Sequence, residues 1–217
     1  MSDASVNICI GGEAGQGLAT VGQMLAKSLV RGGYEITVHQ DYMSRIRGGH
    51  NTFSIRTSTE SVTAPIERID ILVALAQETV VLHAGDLADN GLVIIDSELD
   101  AGDYPHIKVP FKEIAPKAIF TNIAALGILA ALLGLDRDIP AKLINDTFGK
   151  KGQEIVDQNV EVLDKAMAWV NESGADFPDL PPAKGGEGRL MLSGNEAIAL
   201  GALAAGVKFC SFYPMTP

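Results

Sequence analysis

Residues Ile8 to Gly17 read Ile-Cys-Ile-Gly-Gly-Glu-Ala-Gly-Gln-Gly, an apolar run that enters a glycine turn and leaves it into a helical pattern. Glycine amides approach a phosphate or carboxylate closely because no Cβ stands in the way, and the start of a helix carries about half a positive charge. Anion binding by Gly12, Gly15, Gln16 and Gly17 is the chemistry this spacing offers. Nucleotide hydrolysis is not. Gly12 and Gly17 enclose four residues as in a Walker A loop, but Leu18 and Ala19 follow where Lys and Ser or Thr are needed. No Gly-x-Gly-x-x-Gly register fits these glycines either, which removes the dinucleotide fingerprint. The plain alternative is a tight turn that only packs a helix on a sheet.

A second glycine element, Ser44-Arg45-Ile46-Arg47-Gly48-Gly49-His50-Asn51, joins two strand-like segments near 35–39 and 52–58. Arg45 and Arg47 beside the Gly48-Gly49 pair make a cationic, close-approach loop in a chain of net charge −10, so an anionic ligand or partner surface is expected. A solvated hairpin turn whose arginines pair with nearby acids is the competing reading. His39, His50, His83 and His106 have no Ser, Cys or carboxylate at triad or metal spacing and are expected to be solvated or loop residues. Asp96, closing an apolar run, is expected to cap a turn or helix. Lys150 and Lys151 are expected to mark a solvated helix start.

The elements that position these loops are written in the periodicity. Leu18, Val21, Leu25 and Leu29 form one apolar stripe, ended by Gly32 and Gly33, and predict a helix. Ile69 to Leu75 and Leu92 to Ile95 are short apolar runs suited to strands buried on both faces, Gln77 to Leu87 reads as a helix, and His106 to Val109 as a short strand before Pro110. This order predicts a three-layer α/β/α unit whose mixed, mostly parallel sheet has helices on both sides and ligands at the carboxyl ends of its strands. From Phe111 to Val170 the pattern is helical, with Val156, Val160, Leu163, Met167 and Val170 as core positions. The small residues of Phe120 to Gly127 permit close helix contact, inside the unit or across a subunit interface.

Between residues 171 and 188 the composition shifts to Pro178, Pro181, Pro182 and glycines among polar residues, as in an interdomain linker. Beyond it, Arg189 to Ser193 predicts a strand, Gly194 to Ala205 a helix and Val207 to Tyr213 a second strand. One βαβ unit cannot close its own core. The expected organisation is residues 1–170, a linker at 171–188, and the front of a second domain at 189–217.

Composition narrows the function classes. With 217 residues, 47% of them hydrophobic, the chain can bury one good core and begin a second unit. The alanine-rich run Ile119 to Leu135 is broken by Thr121, Asn122, Gly127 and Gly134 and suits a buried helix better than a membrane span. A pI near 4.8 argues against a nucleic-acid partner. Cys9 sits inside the first strand and Cys210 near the end, with no second cysteine at metal-ligand spacing, so neither a disulfide framework nor a cluster-binding motif is encoded; the short polar start is not a signal peptide, and a cytoplasmic origin is expected.

Two motif sets then stand in order along the chain. The first is Gly12 to Gly17 with Arg47-Gly48-Gly49. The second is Gly194-Asn195-Glu196-Ala197-Ile198-Ala199 through Gly206 to Tyr213-Pro214-Met215-Thr216-Pro217. Together they resemble the alpha subunit of 2-oxoacid:ferredoxin oxidoreductases, of the kind in which a gamma domain is fused ahead of the pyrimidine-side thiamine domain. The resemblance spans nearly the whole chain. It implies oxidative decarboxylation of a 2-oxoacid, single-electron transfer through iron–sulfur clusters to ferredoxin, and release of an acyl-coenzyme A, with thiamine diphosphate doing the carbanion chemistry. Fused chains of this type are most often assigned to 2-oxoglutarate; pyruvate or indolepyruvate remains open. So does a stand-alone coenzyme A or nucleotide binding module, although Gly194 to Pro217 has no reason to be there in one.

The resemblance further implies that Tyr213, Pro214 and Thr216 lie at the active site. The Thr216 hydroxyl would hydrogen-bond the substrate carboxylate or the reacting region of the cofactor. Arg45, Arg47 and the Gly15 to Gly17 amides would contact coenzyme A. No Gly-Asp-Gly motif and no set of cluster-ligating cysteines occurs in these 217 residues. The family places magnesium, the diphosphate site and the clusters on a beta subunit or another domain. Residues 1–217 alone are therefore expected neither to turn over nor to bind thiamine diphosphate stoichiometrically.

Overall fold

In the computed structural model, residues 5–13, 16–42, 49–115, 117–178, 180–186 and 188–213 are described. Gly15, Arg45, Arg47, Gly48, Pro214 and Thr216 lie outside them. The apolar run at the start forms β1 (Ser5–Glu13), and the Leu18 stripe forms α1 (Leu18–Arg31). A hairpin of β2 (Glu35–Asp41) and β3 (His50–Ser58) is followed by β4 (Ile69–Ala74), α2 (Gln77–His83), β5 (Leu87–Asp96) and β6 (His106–Val109). The helical half contains α3 (Phe111–Ile114), α4 (Thr121–Leu132), α5 (Asp138–Phe148) and α6 (Gln153–Ser173).

The six strands form one sheet in the order β2-β3-β1-β4-β5-β6. Its β1–β4, β4–β5 and β5–β6 pairings are parallel, while β3 runs antiparallel to both β1 and β2. Alternation along β1 assigns the two faces: Ile8 and Ile10 point into a core with Leu18, Leu25 and Leu29 of α1, Leu126 and Leu129 of α4 and Leu163 of α6. Cys9 points the other way, into a smaller cluster with Leu72, Val93, Ile95 and Val80 of α2. The mixed three-layer α/β architecture read from the sequence is thus present.

One expectation changes at a helix border. The helix after β4 stops at His83 instead of Leu87, because Leu87 already pairs with Ile69 as the first residue of β5. The small residues of α4 turn out to serve internal packing: a Cβ on Gly127 would lie 2.6 Å from Ala166 Cβ and 2.9 Å from the Leu163 carbonyl oxygen of α6.

The second unit departs further. Only α7 (Gly194–Ala204) forms; Arg189–Ser193 and Val207–Tyr213 are not strands. The physical reason is that a helix closes its own hydrogen bonds whereas a strand needs a neighbour. Ser193 and Glu196 complete a reciprocal capping box at the start of α7, with Ser193 N–H donating to Glu196 at 2.7 Å and Glu196 N–H to Ser193 Oγ at 3.2 Å. Among the described residues no strand lies beside the two flanking segments.

Candidate functional site

The first helix after β1 covers one face of the sheet and the first helix after β4 covers the other, so the chain switches sides between these parallel neighbours. A crevice opens at such a point beyond the carboxyl ends of the strands. The glycine turn sits there. Gln16 spans it: Gln16 Oε1 accepts from the Glu13 N–H at 2.7 Å, and Gln16 Nε2 donates to the Leu75 carbonyl at 3.4 Å. A Cβ on Gly12 would overlap Gln16 Oε1, so glycine is required for the glutamine to lie across the turn.

Gly17 adopts a left-handed conformation (φ 77°) and starts α1 without any side-chain cap. A Cβ there would overlap Nδ2 of Asn122, the second residue of α4. The N-termini of α1 and α4 therefore meet at Gly17. Neither first turn contains an acid, neither helix has a capping side chain, and Lys117 stands just ahead of α4, its Nζ 5.9 Å from the Phe120 ring centre. The starts of α1 and α4 thus face one turn, with a 3-10 turn (Ala118–Phe120) leading directly into α4. Each helix terminus contributes about 0.3–1 kcal/mol toward a bound anion, and up to about 2 kcal/mol when partly buried.

The second glycine loop arrives at the same place. Because β3 starts where β1 ends, His50 pairs with Glu13 and Asn51 with Gly12, and Gly49 (φ 96°) is where the Arg-Gly-Gly loop re-enters the sheet. The structure thus brings together Gly12, Gln16, Gly17 and Gly49 of the residues singled out from sequence. It does not wall in Tyr213, which is 81% exposed. Gly15, Arg45, Arg47, Gly48, Pro214 and Thr216 lie outside the described residues.

Sequence reasoning missed Asn122, whose relation to Gly17 depends on the approach of α4 to α1 and has no local signature. It also misjudged two histidines. His50 is only 7% exposed, and its Nε2 lies 2.8 Å from Nε2 of His83, a contact between residues 33 apart in sequence. Beside this pair, Thr79 is fully buried. A Cβ on Gly11 would overlap Thr79 Cγ2 and lie 3.0 Å from His50 Cε1. Burial, and secondarily His83, hold the His50 imidazole below its ordinary pKa, while Glu78 pulls it upward. His39 pairs with Asp41 at 3.3 Å and His106 Nδ1 contacts the Tyr104 carbonyl at 2.8 Å, both on the surface. Asp96 caps a turn as expected, accepting from the Glu98 N–H at 2.9 Å.

Residues 7–169 match the family model described as pyruvate ferredoxin/flavodoxin oxidoreductase. The chain belongs to this family. It is 28% identical to the 2-oxoacid:ferredoxin oxidoreductase subunit alpha of a Sulfolobus species, an alignment covering 96% of the chain and 40% of the relative. Identity is 32% to the ketoisovalerate oxidoreductase subunit VorA of Methanothermobacter thermautotrophicus, over 77% of the chain and 37% of that protein. The 2-oxoglutarate oxidoreductase subunit KorA of Mycobacterium tuberculosis is 25% identical, over 98% and 39% respectively. The chain spans about two fifths of the length of these curated relatives.

Among solved structures, the fold matches that of the 2-oxoglutarate:ferredoxin oxidoreductase from Magnetococcus marinus, determined with 2-oxoglutarate, coenzyme A and succinyl-CoA bound. The TM-score is 0.88 at 24% identity, over 98% of this chain and 39% of that one. Pyruvate oxidoreductase subunit PORC from Thermotoga maritima matches with a TM-score of 0.63 at 21% identity, covering 76% of this chain and 96% of that subunit. A whole separate subunit and part of a longer chain therefore share this fold. Among the described residues no helix is long and apolar enough to cross a membrane.

Proposed function

We propose that this chain is part of a 2-oxoacid:ferredoxin oxidoreductase, with 2-oxoglutarate as its oxoacid, and that its sheet unit binds the phosphates of coenzyme A at the glycine turn. The observation that carries the second half is the approach of the starts of α1 and α4 at Gly17 and Asn122, neither capped by a side chain, with Lys117 shortly before α4 in the sequence. Arg45 and Arg47 belong to the loop that returns to the sheet at Gly49 and supply further positive charge. In this reading the chain holds and orients the thiol-bearing cosubstrate while the assembled enzyme, with its beta subunit, converts 2-oxoacid and coenzyme A to acyl-coenzyme A and CO2. The two electrons released go singly to ferredoxin. The bound coenzyme A and succinyl-CoA of the Magnetococcus marinus structure support this choice of ligand.

An iron–sulfur cluster does not fit the residues present. Cys9 is sealed in β1, its thiol pushed up to about 11 by burial, and Cys210 is the only other cysteine, so a four-thiolate cluster has no ligand set on these residues. Among the described residues no group of His, Cys, Asp and Glu is arranged to hold a metal ion. Thiamine diphosphate, its magnesium and the clusters are assigned in this reading to the rest of the enzyme.

Isothermal titration of coenzyme A into the chain tests the site. Lys117→Ala and Arg47→Ala are each expected to weaken binding about 3- to 10-fold, the loss of one screened phosphate contact. Affinity unchanged in both variants overturns the placement at the glycine turn.

A further inference from the structure

The Pro/Gly-rich stretch after α6 has the composition of a flexible tether, but its packing is not that of one. Phe177 and Leu180 are buried in the main core, 8% and 4% exposed. Farther on, two glycines meet across 153 positions: a Cβ on Gly186 would overlap the Arg31 carbonyl oxygen and the Gly33 nitrogen. A Cβ on Gly33 would lie 3.0 Å from the Lys184 carbonyl oxygen and 3.2 Å from the Gly186 nitrogen. Backbone lies directly on backbone. Arg189 then closes the contact, donating from Nη1 to the Gly33 carbonyl at 3.0 Å and from Nη2 to the Glu35 carboxylate. These contacts seat the strap on the segment between α1 and β2.

The helix beyond the strap has no such anchorage. No residue of α7 is buried, and a groove of about 590 Å³ lined by Gln23, Lys27, Gln40, Ser193 and Glu196 separates its start from α1 and β2. Packing of α7 on the sheet unit therefore does not set its direction. We propose that Gly33, Gly186 and Arg189 form a joint that fixes the orientation of α7, and of the chain leading to Tyr213, against the sheet unit. Arg189 is then a positioning residue. Its consequence for catalysis rests on the oxidoreductase reading, because the joint sets where the cosubstrate turn stands relative to the 189–217 segment. Its geometry does not depend on that reading.

The test is a spin-label distance distribution between Ala199→Cys on α7 and Glu172→Cys on α6 in a Cys210→Ser background. Cys9 is buried with a raised pKa and stays unlabelled. A single narrow distribution is expected, at least twofold broader in both Gly186→Val and Arg189→Ala. Gly194→Ala, whose Cβ meets open space, is expected to leave it unchanged. A broad distribution in the parent protein, or no broadening in Arg189→Ala, overturns the joint. In the assembled oxidoreductase, Arg189→Ala is expected to lower kcat at least tenfold with little change in KM for coenzyme A, the signature of misplacement rather than lost binding. No turnover of any 2-oxoacid by the parent enzyme, with the narrow distribution intact, refutes the oxidoreductase reading and leaves the joint standing.

Discussion

His50 links the two glycine loops to the α2 face. It comes directly after Gly49, pairs with Glu13 across the ladder, and shares a hydrogen bond with His83 that requires one ring to donate and the other to accept. Two protonated rings cannot keep that bond. Because burial and His83 depress the His50 pKa, the unfolded chain takes up the proton more readily than the folded one. The contribution to stability is therefore complete above the unfolded value of about 6.5 and is lost as pH falls through it toward the folded value. His50→Gln is expected to flatten the fall of the urea midpoint between pH 7 and pH 5. Equal slopes in parent and variant would show that His50 does not contribute to the pH dependence of unfolding.

Among the elements, α4 is the one on which both the site and the core depend. Its N-terminus faces Gly17, and Gly127 in its middle lets α6 approach closely enough that Ala166 and Leu163 fill the space a side chain would take. Gly127→Val forces these helices apart and is expected to cost about 1–3 kcal/mol, or more if the backbone cannot shift, read from urea unfolding. A loss below about 0.5 kcal/mol would mean that the interface yields freely. The α1 stripe, the buried runs of β4 and β5 and the β2–β3 hairpin were legible because each writes its own period into the sequence. The start of β5 was not: Asp89, Asn90 and Gly91 look like a turn, and in the structure they form the irregularity between the Ile69–Leu87 and Ile71–Leu92 pairs of the β4–β5 ladder. The strands expected at 189–193 and 207–213 failed for the complementary reason, since alternation specifies a strand only where a neighbour exists. Likewise the glycine turn was visible between β1 and α1, but not its contact with Asn122 of α4.

At the scale of the whole molecule, the question is where the independently stable unit ends. The composition shift at 171 marks a linker, and the family match ends at residue 169. Yet Phe177 and Leu180 are core residues, and the strap beyond them is fastened by Arg189. Burying a Phe and a Leu stabilises a domain by about 1.5–3 kcal/mol each, so a chain ending at Gly174 forfeits about 3–6 kcal/mol, a large share of the roughly 5–15 kcal/mol that holds a domain together. A chain ending at Arg189 loses only α7 and its flanks, in which no helical residue is buried while Leu190, Phe209, Phe212 and Tyr213 are exposed. The longer truncation product is therefore expected to unfold within about 1 kcal/mol of the parent and to aggregate less, while the shorter one unfolds at a clearly lower urea concentration. Equal stability of the two products would show that the strap contributes nothing to the core and would return the boundary to residue 171.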